Sequence, residues 1–80
     1  MKTLDSYPSL SDCSAEQTAR IIALTGELDT KLRLVNLGFH TQGHIKIVMK
    51  RHQSLVVCVD GSRFALDDRL AQFIKVEPLS

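Results

Sequence analysis

The chain has no tryptophan, one tyrosine and three phenylalanines in 80 residues. Surfaces that stack bases or hold proline-rich peptides are built from exposed aromatics. Phe64 and Phe73 read as core, which leaves only Tyr7 and Phe39 for such a surface. A nucleic-acid platform and a peptide groove are both disfavoured. Charge of one sign is also missing: ten Lys+Arg against nine Asp+Glu give a formal net charge of +1. That balance supplies no field to draw in nucleic acid or an anionic membrane. Two cysteines, Cys13 and Cys58, are too few for a disulfide framework, so free thiols in a cytoplasmic setting are expected. No glycine loop of the phosphate-cradling kind is present, so nucleotide binding should belong to a partner. No apolar run approaches the roughly 20 residues that span a bilayer, so no membrane insertion is expected. Residues 1–10 lack the apolar segment of a signal peptide. Eighty residues suggest one domain, and one of this size has little room for a large catalytic cleft.

What is present begins with residues 43–66, GHIKIVMKRHQSLVVCVDGSRFAL. Ile45, Ile47 and Met49 alternate with Lys46, Val48 and Lys50; Leu55, Val57 and Val59 alternate with Val56, Cys58 and Asp60. Period two marks half-buried strands, because successive side chains point to opposite faces. Asp60-Gly61 supplies the positive φ angles of a type I′ turn, and His52-Gln53-Ser54 makes the other connection. An antiparallel meander of strands 45–50, 55–60 and 63–66 follows.

The flanking chain completes the set. Residues 1–12 are polar and read as a loose leader, with Leu10 tucked on the domain edge and the folded domain running over 13–80. Residues 18–25 are β-branched and apolar, a first strand with Ile21 and Ile22 on opposite faces. Over 28–37 the period changes: Leu28, Leu32 and Val35 fall at i, i+4 and i+7, the expected core stripe of a helix. Thr25 or Asp29 is the expected N-cap, and Gly38 the left-handed stop, with Leu37 and Phe39 bracketing it. Asp67 can cap a single turn with Leu70 inward, and residues 73–77 form a last strand closed by Pro78. The fold class is mainly β: a small, partly open five-stranded barrel with one short helix after the first strand.

Sites that carry chemistry are few. His40, His44, His52, Cys13 and Cys58 are the available soft ligands. Zinc wants three or four converging in a tetrahedron, and Gly43 breaks any helical spacing between His40 and His44. No native metal site and no cofactor are expected. Asp67-Asp68 is better read as a helix cap than as an acid/base pair. No Ser–His–Asp or Cys–His arrangement can be placed, and an enzyme is not expected. Lys46, Lys50, Arg51 and Arg63 read as a solvated charged face. One candidate surface remains: Leu34, Leu37, Phe39 and His40. Leu34 lies off the expected core stripe, and if it and Phe39 are exposed the helix end presents an apolar patch suited to a partner; the alternative is that Leu37 and Phe39 cap the barrel and leave nothing outside.

The ordered set resembles the FeoA family, over roughly residues 10–77. It comprises Ala19-Arg20-Ile21-Ile22, then Leu32 with Leu37-Gly38-Phe39, then Gly43, Ile45-Lys46-Ile47-Val48 and Val57-Cys58-Val59. Gly61, Phe64-Ala65-Leu66, Ala71 and Ile74-Lys75-Val76 complete it. Three features depart from the family pattern: Gln42 replaces a proline, residues 50–54 form a short polar connection, and Glu16-Gln17 stands at the entry to the first strand where the family often has a glycine. The resemblance implies an SH3-like barrel. It also implies a non-catalytic cytoplasmic accessory of ferrous iron uptake that binds the cytoplasmic region of a FeoB-like transporter and modulates its assembly or activity. The alternatives are a small-barrel regulatory or nucleic-acid-binding module, or a transition-metal-binding carrier. Weak homo-oligomerisation stays open.

Overall fold

The structure, a computed structural model, describes residues 6–79. Five strands form one antiparallel sheet in the order β4-β3-β2-β1-β5: β1 Thr18–Leu24, β2 His44–Lys50, β3 Ser54–Val59, β4 Ser62–Asp67 and β5 Ile74–Pro78. Helix α1, Leu28–Leu37, follows β1, and the one-turn α2, Asp68–Ala71, precedes β5. The meander is as expected to within a residue or two. Asp60 and Gly61 take φ of 52° and 84°, the positive pair that a type I′ turn requires. Asp67 caps α2, its Oδ1 accepting from the Arg69 N–H at 2.7 Å. Ala71 is the fully buried residue of that turn, while Leu70 packs partly buried against the core.

Alternation fills the interior. Ile21, Ile45, Ile47, Leu55, Val57, Leu66, Ile74 and Val76 point inward and are almost wholly buried. Each such side chain contributes about 1.5–3 kcal/mol relative to exposure. Met49 does not join them. A bulge between Ile47 and Met49 shifts the β2–β3 register by one residue. An extra residue in one strand turns everything beyond it to the other face, so Met49 is 43% exposed. Lys50 instead reaches the N-terminal arm, its Nζ donating to the carbonyls of Ser11 at 2.9 Å and Cys13 at 3.1 Å.

That arm differs from the loose leader expected over 1–12. Residues 1–5 lie outside the described residues. From Pro8 onward the chain lies along β5: the Val76 N–H donates to the Pro8 carbonyl, and Ser9 bridges Lys75. A 3-10 turn, Leu10–Asp12, is closed by Asp12 Oδ2, which accepts from both Ser9 N–H and Ser9 Oγ at 3.1 Å. Leu10 and Cys13 are buried in the core. The polar composition that suggested looseness is local capping chemistry around one apolar plug.

Candidate partner-docking surface

Helix α1 occupies the residues expected and ends as expected, with Gly38 at φ 110°. Its start and its orientation are different. Glu27 stands at the N-cap position and makes no side-chain cap bond. Thr25 is engaged elsewhere, since its N–H and Oγ1 both donate to the Phe73 carbonyl, at 2.7 and 2.8 Å. Asp29 lies inside the first turn, where its charge suits the positive end of the helix.

The orientation is the larger correction. Leu28, Leu32 and Val35, the expected core stripe, are 69%, 51% and 53% exposed. Leu34, expected outside, is completely buried. The helix C-terminus supplies the cause. The Phe39 N–H donates to the Leu34 carbonyl at 3.1 Å and the Gly38 N–H to the Val35 carbonyl at 3.0 Å, the paired bonds of a Schellman stop. Such a stop brings the residue after the glycine against the one five positions earlier. Phe39 is fully buried and meets the Phe64 ring edge-on at 5.2 Å, so Leu34 is carried inward with it. Leu37, which brackets the glycine on its other side, is 44% exposed. The sequence signal was present in the Leu34–Gly38–Phe39 spacing, but the longer apolar stripe outweighed it.

Of the four candidate partner residues, Leu34 and Phe39 therefore belong to the core and offer nothing to a partner in the folded state. Leu37 and His40 remain at the surface. The residues missed are Leu28, Leu32 and Val35, which share one face of α1 by their spacing and form an exposed apolar row.

His40 lies beyond the helix stop. Its Nε2 is 3.1 Å from Asp60 Oδ2 and its Nδ1 3.1 Å from the Thr41 carbonyl. Protonated imidazole donates from both nitrogens, so the bond to Asp60, then that to Thr41, raises the His40 pKa from its ordinary value. The ring also covers Gly43, where a β-carbon would come within 2.9 Å of its Cε1. His40 thus ties the turn after the helix to the β3–β4 hairpin.

The remaining candidates stay dispersed. Among the described residues, no three His, Cys, Asp or Glu side chains gather as a metal site would require. Cys13 is buried; burial and then the Asp12 carboxylate push its thiol pKa up, against an opposing effect of Lys50. A thiol so placed is a poor metal ligand at neutral pH. Cys58 is half-buried on the outer face of β3, between Lys46 on β2 and Arg63 on β4. Asp67, Asp68, Gln53 and Arg69 line a shallow polar cavity of about 120 Å³ around the α2 cap. No helix among the described residues is long and apolar enough to cross a membrane.

A five-stranded antiparallel sheet with one helix after its first strand defines a small SH3-like β domain. The chain belongs to the FeoA family: residues 9–78 match the FeoA domain. Among curated proteins none matches it. Solved structures do. An iron uptake regulatory protein (FeoA) is 22% identical, with a TM-score of 0.84, covering 89% of this chain and 96% of that one. FeoA of Stenotrophomonas maltophilia complexed with zinc, described as a prokaryotic SH3 domain protein, is 25% identical, with a TM-score of 0.76, covering 86% and 88%. A manganese-dependent transcriptional repressor in complex with manganese shares the fold at 18% identity and a TM-score of 0.85. It covers 91% of this chain, which spans only 37% of the repressor.

Proposed function

We propose that this protein is a non-catalytic cytoplasmic accessory of ferrous iron transport. In this reading it docks on the cytoplasmic region of a FeoB-like transporter and modulates its assembly or activity. Membership of the FeoA family supports the role in ferrous iron transport, and the solved relatives include an iron uptake regulatory protein. One observation carries the docking surface: α1 hangs on the domain by Leu34 and leaves Leu28, Leu32 and Val35 outside. A row of large apolar side chains on a small domain marks an interaction site. Leu37, half-exposed at the end of the same helix, lies on its other side by spacing, and His40 stands beyond the stop. The test is co-purification with the transporter or its isolated soluble domain. Leu32→Glu and Val35→Glu should abolish it, and Arg51→Glu, on the polar connection after β2, should not.

A further inference from the structure

The two edges of the sheet are treated differently. The outer edge of β5 is covered by the N-terminal arm, through the Pro8 carbonyl and the Ser9–Lys75 bridge. Among the described residues, nothing covers the outer edge of β4 in this way. The two-residue turn pairs Val59 with Ser62, and from there hydrogen-bonded and non-bonded pairs alternate along β3–β4. Ser62, Phe64 and Leu66 therefore spend their backbone groups on β3. Arg63 and Ala65 direct theirs off the sheet, and among the described residues no backbone or side chain takes them. A bare edge of this kind is a template for another strand.

Arg63, Ala65 and Asp67 are all exposed and share the outer face of that edge. The Arg63 guanidinium has no partner among the described residues. Asp67 uses Oδ1 for the α2 cap, which leaves Oδ2 open. Four residues apart on one strand, the two charges are too distant to pair with each other. They do pair with a second copy. When β4 meets β4 of a second molecule antiparallel and centred on Ala65, each Arg63 stands opposite the other molecule's Asp67, and the two alanines face one another. Sliding the centre to Phe64 puts Arg63 opposite Ala65 and strands the charges. Sliding it to Arg63 sets like charges face to face, which is unfavourable. Edge charges ordinarily deter indiscriminate pairing; the order Arg-x-Ala-x-Asp admits one register and one closed two-fold arrangement.

We infer that the β4 edge, Arg63–Ala65–Asp67, is a self-recognition site that joins two copies of this chain into a continuous antiparallel sheet. The contact is short and falls well below the roughly 1,200–2,000 Å² of stable interfaces, so the dimer is weak and forms at high local concentration. Backbone bonds at Ala65 supply most of the affinity. The exposed Arg63–Asp67 pairs set the register and weaken with salt.

Sedimentation equilibrium on the full chain, with amide shifts followed on dilution, tests this. A monomer–dimer equilibrium is expected, with the largest shifts at Arg63 and Ala65. Arg63→Asp and Asp67→Arg should each weaken the dimer by about tenfold or more, and mixing the two should restore it, because each charge then meets its opposite. Ala65→Pro removes the outward N–H without touching a bond to β3 and should abolish the dimer. It also decides the matter if Asp67→Arg, which loses a helix cap, fails to fold. Leu32→Glu, on α1, should leave the dimer unchanged. The inference is overturned by a wild-type chain that stays monomeric at millimolar concentration, or by a dimer indifferent to Ala65→Pro. It is also overturned by two folded charge variants that do not recover on mixing, or by a dimer lost with Leu32→Glu.

Discussion

Leu34 and Phe39 are joined across the end of α1 by a backbone bond of 3.1 Å, and both side chains are fully buried. This pair, rather than the longer stripe Leu28–Leu32–Val35, decides which way the helix faces. Leu34→Ala should therefore destabilise the protein by about 2–5 kcal/mol, the usual range for a buried leucine. Leu32→Ala should stay within about 0.5 kcal/mol, as exposed substitutions do. Denaturant titration of the two variants ranks them; the opposite order would return the helix to the orientation its periodicity suggests.

The strands were legible because period-two alternation and an Asp-Gly turn are local signals that the tertiary structure had no cause to override. The fold class followed from them, and the Gly38 stop from the glycine itself. The candidate surface was not legible in the same way. Helical periodicity shows which residues share a face, but not whether that face meets the core. Here a three-residue stripe competed with a single leucine tied to a buried phenylalanine, and the tie prevailed. Met49 was misplaced for a related reason: a bulge leaves no mark on hydrophobic alternation until the register is seen. Ser9, Ser11 and Asp12 look solvated in sequence, yet in the fold they close a turn over Leu10, which composition alone does not reveal.

Gly38 sits at φ 110°, and a β-carbon there would meet no atom within 4 Å. Space is therefore not the constraint, and backbone strain is. Gly38→Ala should cost about 1 kcal/mol, the expense of a left-handed alanine. Since α1 presents the apolar row, the same variant should show faster amide exchange over the last turn of the helix. A neutral change in unfolding free energy would contradict the left-handed stop.

His40 offers a pH test. Its folded pKa is raised, chiefly by the bond to Asp60 and next by that to Thr41. A group raised on folding contributes stability that is fully present below its unfolded value, about 6.5, and is lost as pH rises through the folded value. The tie between the post-helix turn and the β3–β4 hairpin should thus be firmest in mild acid and loosen as pH rises through the raised folded value. Asp60→Asn keeps a residue that tolerates the left-handed φ of 52° at this position and removes the charge. The His40 titration, followed by NMR, should then move down. An unchanged titration would mean that the contact with Asp60 does not persist in solution.

Docking on the transporter should depend on the exposed row and not on the buried pair. Leu28, Leu32 and Val35 are free to meet an apolar groove without disturbing the core, so glutamate at 32 or 35 should leave the circular dichroism of the parent intact while co-purification is lost. Phe39→Glu is no test of docking, because a charge in the core beside Phe64 would unfold the domain first. With a net charge of only +1, affinity should come from apolar burial and fall little with salt. Charge reversal at Lys50 is equally uninformative, since its ammonium holds the N-terminal arm; Arg51 and Lys46 are the controls on the meander. A complex broken by Arg51→Glu or Lys46→Glu but not by Leu32→Glu would move the docking face from α1 to the sheet. A parent protein that binds neither the transporter nor its soluble domain would remove the docking role itself.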